Sequence, residues 1–274
     1  MSMTATESAV LSVKLRMSIL EMLHHARASH IAPAFSIADI VAVLYGCVID
    51  AKNDSVVLSK GHAGSCIYAA LAQVGILPQE LLKTYYSNGS KLSGHISHKD
   101  VPGVEVSTGS LGLGAPIAAG MALADKLDSR GNRVFTIIGD GECNEGSIWE
   151  FAQFAPHHKL ANLTAIIDAN GMQAMGTCDD VLANADLAAK FALFGWNVCE
   201  IDGHNHTELE AALSKVHKTK PTCIVARTVK GKGVSFMEGN LVWHYRDPQG
   251  EDYEKARAEL EQVLSETANM EAQL

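Results

Sequence analysis

Apolar residues in the first half of the chain recur every three or four positions, which is the spacing of amphipathic helices. This pattern predicts helices over residues 7–28, 62–75, 78–87 and 115–128. Ser36 and Asp39 have the residue types of a helix start, and an apolar run over residues 40–48 follows them. Residues 88–114 differ, because they are rich in Gly, Ser and His and show no periodicity. Long ordered loops in compact domains are usually functional, so we expect this loop to line a site.

The second half of the chain alternates short β-branched runs with helical segments. The predicted strands cover residues 133–138, 163–168, 196–201 and 223–229. The predicted helices cover residues 145–158, a segment from about residue 207, and a charged terminal helix at about 251–266, after which we expect a few loosely held residues. Strands that alternate with helices are typical of a parallel sheet covered on both faces. The sequence therefore predicts an α/β fold with a doubly wound, mostly parallel sheet. Because no repeat or linker is present, it also predicts a single domain over residues 1–274.

Composition and charge narrow the range of functions. Apolar residues make up 47% of the 274 residues, and the formal net charge is −9. A chain this acidic is a poor ligand for nucleic acids and for anionic membranes, so a bound phosphate must be neutralised locally. The chain starts without a basic stretch and apolar run, no apolar run could span a bilayer, and the six cysteines form no Cys-x-x-Cys pair. We therefore expect a cytoplasmic protein with reduced thiols and with no membrane or nucleic-acid partner.

The strongest chemical signal is Gly139-Asp140-Gly141 at the end of one predicted strand, with Asn170 just beyond the end of the next. Ligands of open parallel sheets bind beyond the carboxyl ends of the strands, where Asp140 and Asn170 can converge. Their oxygen atoms suit Mg²⁺ or Ca²⁺, and Mg²⁺ often completes its coordination with phosphate oxygens. Gly141 lets the backbone approach an anion, and the next helix directs its N-terminus at the same place. A plain strand-to-helix turn capped by Asp140 is the alternative, and the position of Asn170 favours a metal-diphosphate site.

Further motifs occur in order around this site. They are Leu58-Ser-Lys-Gly-His62-Ala, Ser93-Gly-His95, Pro102-Gly-Val-Glu105-Val-Ser-Thr-Gly109-Ser-Leu111-Gly112, Gly139-Asp-Gly-Glu-Cys-Asn-Glu145-Gly146 and Val242-Trp-His244. Over about residues 10–248 the chain resembles the transketolase family, and the stretch from Gly139 to Asn170 resembles its thiamine diphosphate motif. The resemblance implies a thiamine-diphosphate-binding fold of the diphosphate-gripping (PP-type) kind. It also implies thiamine diphosphate and Mg²⁺ as cofactors, with Ca²⁺ able to substitute.

The same resemblance assigns roles to individual residues. Asp140, Asn170 and the backbone carbonyl of Met172 resemble the metal ligands of the family. The residues that resemble its cofactor contacts are His62, Gly109, Leu111, Gly139, Asp140, Gly141, Glu145, Asn170 and His244. Within this set, His62 and His244 resemble the diphosphate contacts, and Leu111 resembles the residue packed on the thiazolium ring. Glu145 and Glu150 resemble carboxylates at the contact between subunits.

The residues that resemble catalytic groups are His30, His95 and His244. Ketol transfer requires a proton to leave one hydroxyl and another to arrive, and histidine titrates close enough to neutral pH to serve both steps. His24, His25, His157 and His158 suit surface or packing roles, whereas the roles of His98, His204 and His206 stay open. The turn at residues 230–233 could touch phosphate or could be a solvated turn.

Departures from the family pattern lie near the expected substrate channel. Ile31-Ala32 replaces Pro-Gly, Ser110 replaces Pro, and Leu113 replaces Gln. The segment Tyr245–Pro248 stands where a small Gly is common, and Arg246 within it could bind a substrate anion or form a surface salt bridge. The resemblance therefore implies sugar or sugar-phosphate substrates without pointing to one pathway.

Complete transketolases are more than twice as long as this chain, and their second part binds the aminopyrimidine ring and carries an activating Glu. We therefore expect a separate partner chain with that pyrimidine-binding domain, and a heterotetramer of two chains of each kind. Two alternatives remain. One is a component of another thiamine diphosphate enzyme, resembling deoxyxylulose phosphate synthase or a dehydrogenase E1. The other is a non-catalytic paralogue, against which the retained histidines argue.

Overall fold

The computed structural model describes residues 3–271. Within this range the chain forms helices α1 (Ala5–Ala26), α2 (Ile31–Ser36), α3 (Ala38–Val43), α4 (Gly64–Gln73), α5 (Gly114–Leu127), α6 (Gly146–His157), α7 (Cys178–Leu182), α8 (Leu187–Leu193), α9 (His206–Leu213) and α10 (Gly250–Glu271). The strands are β1 (Ser55–Leu58), β2 (Val134–Gly139), β3 (Leu163–Ala169), β4 (Asn197–Asp202) and β5 (Thr222–Arg227). No helix in residues 3–271 is long and apolar enough to cross a membrane.

The five strands described form one parallel sheet in the order β1-β2-β3-β5-β4. Gly139 at the end of β2 lies opposite Asp168 in β3, and Asp168 lies opposite Ala226 in β5. β1 pairs with β2 up to Leu58, so residues 59–62 leave the sheet at the same edge. The carboxyl ends of β1, β2 and β3 therefore meet, as parallel pairing requires.

Alternate residues of the strands pack on opposite faces of the sheet. One layer is formed by α1, α3, α4, α9 and α10 and covers Phe135, Ile137 and Ile166. The other is formed by α5, α6 and α8 and covers Ile138 and Ile167. The predicted α/β fold with helices on both faces of a parallel sheet is confirmed.

A helix does begin within residues 36–39, since α3 starts at Ala38 with Asp39 in its first turn, but Ser36 does not cap it, and the helix predicted over residues 78–87 is wrong. Ser36 ends a helix that begins at Ile31, and its buried hydroxyl donates to Asp168 Oδ1 (2.7 Å) instead of capping a helix. That carboxylate is buried and needs donors, so the tertiary bond outweighs a local cap. Residues 78–87 contain a 3₁₀ turn over Gln79–Thr84, not an α-helix.

Other elements were missed or misjudged in length. Strand β1 was not predicted, because its four residues carry no alternating pattern. α7 and α8 were also missed. The terminal helix is longer than expected, since α10 packs on α1 through buried Ala256 and Leu260 and runs to Glu271. The expectation of loosely held last residues falls on residues 272–274, outside the part described.

Candidate active site

A cavity of about 280 Å³ lies beyond the carboxyl ends of β1, β2 and β3. It is lined by His30, Pro33, Lys60, His62, His95, Gly109, Leu111, Gly139, Asp140, Gly141, Glu142, Asn170, Met172, Gln173, Ala174, Lys230 and His244. All the predicted site residues except Glu145 belong to this wall. They come from segments far apart in the chain, which the parallel sheet brings to one edge.

Asp140 follows β2 and is 6% exposed. Its carboxylate accepts hydrogen bonds from the backbone N–H groups of Gly141 (2.8 Å) and Gly171 (2.6 Å), which fix its orientation. Burial raises the pKa of Asp140, and the negative charge of Asp168 adds to the effect. A cation in the cavity would therefore be stabilised by this carboxylate and would in turn favour its ionised form.

Asn170 and Met172 lie in the turn that directly follows β3. The Asn170 amide donates to Asp168 Oδ2 (3.0 Å) and to Ser36 Oγ (3.1 Å). These two bonds assign its Nδ2 and leave Oδ1 as the acceptor, which takes the Met172 N–H (3.0 Å). These three hydrogen bonds thus hold the Asn170 side chain in one orientation at the cavity wall.

The cavity offers oxygen donors that suit a hard cation. One carboxylate, one amide oxygen and one backbone carbonyl are contributed by the three predicted metal ligands, and no group of three or more His, Cys, Asp or Glu side chains in residues 3–271 could hold a metal. An ion held by so few charges needs further oxygens from a phosphate or from water, as Mg²⁺ commonly takes. The Lys230 ammonium already donates to the carbonyls of Met172 (3.3 Å) and Gln173 (2.8 Å). These carbonyl oxygens therefore stabilise a positive charge at the cavity wall.

Two buried polar atoms beside the cavity, Gln173 Nε2 and His244 Nδ1, have no hydrogen-bond partner among residues 3–271. Unsatisfied buried groups are costly and rare in native proteins, and a bound ligand is one reason to retain them. A β-carbon at position 141 would lie 2.8 Å from Gln173 Cγ, so Gly141 lets this wall come close. These features fit a bound metal-diphosphate group.

Four histidines cluster on one side of the cavity around His30. The His30 ring centroid lies 5.5 Å from those of His62 and His95 and 5.3 Å from that of His244. His30 itself has a positive φ of 77° and donates its backbone N–H to the His244 carbonyl (3.0 Å). A strained backbone of this kind is found preferentially at functional sites.

The pKa values of three histidines in this cluster are lowered, which favours their neutral form at pH 7. Burial, and next His95, lowers the pKa of His30 to about 4. Burial, and next Lys230, lowers the pKa of His244 to about 3. The pKa of His62 also falls well below its usual value, through burial and then Lys60. A neutral imidazole can accept a proton and donate one, which general acid–base chemistry requires.

The irregular loop before α5 carries His95 and Leu111 into the site. Its Ile96 N–H donates to the Gly61 carbonyl (3.0 Å), and Thr108 Oγ1 donates to the Leu58 carbonyl (2.5 Å). A side chain at Gly61 would collide with the Thr108 carbonyl, since an added β-carbon would lie 2.4 Å from its oxygen. The long loop therefore lines the cavity, and its functional role stays a prediction.

A buried ion pair beneath the cavity was not predicted from the sequence. Lys60 Nζ lies 2.5 Å from Asp168 Oδ2, and the two side chains are 3% and 0% exposed. Burial alone would raise the pKa of Asp168, but Lys60 and the hydroxyls of Ser36 and Thr228 lower it. The pair holds Lys60 at the cavity wall and orients Asn170. A lone Asp within the apolar run of a buried strand was the available signal.

Glu142 is the second missed residue. Its buried carboxylate accepts from Ser59 Oγ (2.5 Å) and from the N–H groups of Gly112 (2.8 Å) and Gly139 (3.1 Å). It thereby ties the loop with Leu111 to the end of β2. Glu145, which the family resemblance marked as a cofactor contact at the boundary between subunits, is exposed at the start of α6 and lies outside the cavity wall, so its role stays a prediction. The 3₁₀ turn over Gly141–Asn144 directs Glu142 inward and leaves Glu145 outside.

The structure also decides some open alternatives. Arg246 pairs with Asp252 (2.5 Å) and lies over the Trp243 ring, so it forms a surface salt bridge. Lys230 lines the cavity and does not belong to a solvated turn. His98 is exposed and contacts Ser107 Oγ (2.7 Å). His204 and His206 contact the buried carboxylate of Asp39, away from the cavity.

Comparisons by family, by sequence and by structure all match the chain to one family of proteins. The family described as "Transketolase, thiamine diphosphate binding domain" matches residues 7–261. The chain is 41% identical over 257 residues to the "6-deoxy-6-sulfo-D-fructose transketolase subunit SqwG" of Clostridium sp. (strain MSTE9), covering 90% of this chain and 94% of that protein. It is 36% identical over 263 residues to an apulose-4-phosphate transketolase subunit of Phocaeicola vulgatus, covering 92% and 93%. The crystal structure of transketolase from Campylobacter jejuni superposes with a TM-score of 0.82 at 28% identity, over 99% of this chain but 48% of that one.

Proposed function

Because the chain belongs to the transketolase family through its thiamine diphosphate binding domain, we propose that it is the cofactor-binding subunit of a two-chain transketolase. It would transfer a two-carbon ketol unit from a ketose to an aldose. The observation that carries the proposal is the cavity in which Asp140, Asn170 and Met172 face a cluster of four histidines.

The cofactors in this proposal are thiamine diphosphate and Mg²⁺, with Ca²⁺ able to replace the metal. Asp140, Asn170 and the Met172 carbonyl would hold the ion, and the diphosphate would complete its coordination. His62, His244 and the backbone at Gly139 and Gly141 would contact the diphosphate. Gly109 and Leu111 would contact the ring that follows it. Lys60 and Lys230 at the same wall place positive charge beside the diphosphate, in a chain whose formal net charge is −9.

Bound thiamine diphosphate supplies the nucleophilic carbon for ketol transfer, and the chain supplies position and proton transfer. His95 is exposed at the cavity and His30 lies behind it, so this pair can reach a substrate hydroxyl. They would take the hydroxyl proton when the ketose is cleaved and return it when the aldose is joined. His244 lies beside both the diphosphate wall and His30, where it would assist.

The proposal includes a partner chain that carries the pyrimidine-binding domain, in a cytoplasmic heterotetramer. The two relatives that this chain spans almost completely are both named transketolase subunits, whereas it spans about half of a solved transketolase. Leu113 (53% exposed) and Ile117 (41%) present apolar surface close to the Leu111 loop, and such surface commonly marks a partner site. Because Arg246 is engaged by Asp252, we propose that the partner contributes most contacts to a phosphate of the sugar.

The test is a ketol-transfer assay on the full chain, purified alone and together with its pyrimidine-domain partner chain. We expect turnover with a ketose donor and an aldose acceptor only in the mixture, and loss of turnover when the chain carries Asp140→Ala. Robust turnover by the chain alone would overturn the two-chain proposal. Turnover with pyruvate as the donor would indicate a component of a deoxyxylulose-phosphate-synthase-like or dehydrogenase-like enzyme. Cofactor binding without any turnover would indicate a non-catalytic paralogue.

A further inference from the structure

The turn that follows β5 places Lys230 in the cavity. Residues outside the cavity hold this turn through two hydrogen bonds. The Val229 N–H donates to His204 Nε2 (2.8 Å), and Arg16 Nε donates to the Lys232 carbonyl (2.7 Å). These two bonds flank Lys230 in the chain. Lys230 then reaches the cavity wall, where its ammonium donates to the Met172 and Gln173 carbonyls.

Both anchors of the turn depend on one buried carboxylate, Asp39 in α3. Arg16 donates to its Oδ1 (3.0 Å) and Oδ2 (2.6 Å), and His204 Nδ1 lies 2.6 Å from Oδ2. Arg16 and Asp39 are 3% and 5% exposed, so the group is shielded from water. Burial would raise the pKa of Asp39, but Arg16 and the histidine contacts hold it well below its usual value. Asp39 is therefore ionised and can only accept hydrogen bonds.

The two contacts of His204 determine its tautomer. The Val229 N–H is a donor, so His204 Nε2 must present its lone pair. A neutral ring then carries its proton on Nδ1, which faces the acceptor Asp39. The carboxylate thus selects the one imidazole tautomer that can hold the Val229 N–H.

We propose that Asp39, Arg16 and His204 are positioning residues that set the place of Lys230 in the cavity and, through it, the affinity for the diphosphate group. The choice of ligand rests on the proposed function, whereas the anchoring of the turn does not. Lys230 contributes charge to the diphosphate site only while its backbone is held where its ammonium reaches the Met172 and Gln173 carbonyls. None of the three positioning residues touches the cavity itself.

Two substitutions of similar size separate the two bonds of His204. His204→Asn places an amide where Nδ1 lies, which keeps a contact with Asp39 and loses the acceptor for Val229. His204→Gln reaches the position of Nε2 and keeps that acceptor. His206→Asn is the matched control, because His206 also contacts Asp39 (3.2 Å) but makes no hydrogen bond to the turn.

The first measurement is hydrogen exchange at the amides of residues 229–233 in the full chain without ligand. The second is calorimetric titration with inorganic pyrophosphate and with thiamine diphosphate, each with Mg²⁺. We expect His204→Asn to accelerate exchange at Val229 and to weaken pyrophosphate affinity by about tenfold, the scale of one lost hydrogen bond. His204→Gln and His206→Asn should stay within about twofold of the wild type, because both keep the Val229 bond.

A double-mutant cycle tests whether His204 acts through Lys230. In a Lys230→Met background, His204→Asn should weaken pyrophosphate binding by less than about twofold, whereas an independent structural effect would persist in full. Unchanged exchange in His204→Asn, or an equal loss in both backgrounds, overturns the inference. If the wild-type chain binds neither ligand even with its partner chain present, the proposed function fails, and the exchange rates still decide whether His204 holds the turn.

Discussion

Replacing Lys60 with Met removes the ammonium that neutralises Asp168 inside the protein, while keeping a straight side chain of similar length. The two side chains are 3% and 0% exposed, so solvent cannot replace the lost charge. Asp168 would retain the Ser36 hydroxyl (2.7 Å), the Thr228 hydroxyl and the Asn170 amide (3.0 Å). It would keep these hydrogen bonds but lose its salt bridge.

The magnitude follows from that burial. Removing one partner of a buried ion pair costs about 3–5 kcal/mol of the free energy of unfolding, because the other charge stays uncompensated. The hydrogen bonds that Asp168 retains place the expected loss near the lower end, at about 3 kcal/mol. The double variant Lys60→Met/Asp168→Asn contains no unpaired charge and should therefore lose only about 1 kcal/mol.

The pH dependence has a defined sign. The folded state lowers the pKa of Asp168, so its contribution to stability is present above the ordinary carboxyl value of 3.8 and is lost as pH falls through the lower folded value. Without Lys60, burial dominates and the pKa of Asp168 rises instead. Protonation then relieves the unpaired charge, and the deficit of Lys60→Met should shrink as the pH is lowered from 7.

The assay is equilibrium urea unfolding of the full chain without ligand, followed by circular dichroism. Lys14→Met serves as a control at an exposed lysine and should stay within about 0.5 kcal/mol of the wild type. A loss below about 1 kcal/mol for Lys60→Met would refute the reasoning, since that is the scale of one ordinary hydrogen bond. A double variant as unstable as Lys60→Met would refute it as well, because the cost would then not come from the unpaired carboxylate.

Three further predictions concern the cavity. Asp140→Ala should weaken thiamine diphosphate binding by more than about tenfold at limiting Mg²⁺ with little loss of stability, as isothermal titration of the reconstituted enzyme would measure. His62→Ala should mainly reduce cofactor retention, whereas His95→Ala should mainly lower turnover, by about 10²–10⁴-fold if it transfers protons. Stability should decline as pH falls from 6.5 to about 4, because His30, His62 and His244 have lowered pKa values in the folded state and take up protons on unfolding. His30→Asn should remove the His30 share and make this part of the profile less steep, as measured by urea midpoints across that pH range.

Each of these predictions can fail. Unchanged affinity in Asp140→Ala would remove the metal assignment. Full turnover and full cofactor retention in both histidine variants would show that the roles implied by the family do not apply. An acid profile that is identical in His30→Asn and the wild type would mean that His30 contributes nothing to the decline in stability.

Much of the site could be predicted from local sequence, because its central features are continuous in the chain. Gly139-Asp140-Gly141 ends a buried apolar run, and parallel pairing places Asp168 opposite Gly139, so Asn170 follows the next strand at the same edge. The layered fold was predictable for a similar reason. The spacing of apolar residues in a strand or a helix shows which side of that element is buried. This spacing can be read directly from the sequence.

Tertiary structure alone decided which polar side chains meet. Lys60 and Asp168 lie 108 positions apart, and no spacing indicates that the short strand β1 delivers Lys60 to the end of β3. Local sequence also did not distinguish Glu142, which the turn directs inward, from Glu145, which stays outside. The tautomer of His204 depends on a backbone N–H from another loop. The physical reason is the same in each case: a buried charge or donor is satisfied by whichever group packing brings within about 3 Å, and that partner is set by the folded topology and not by neighbours in sequence.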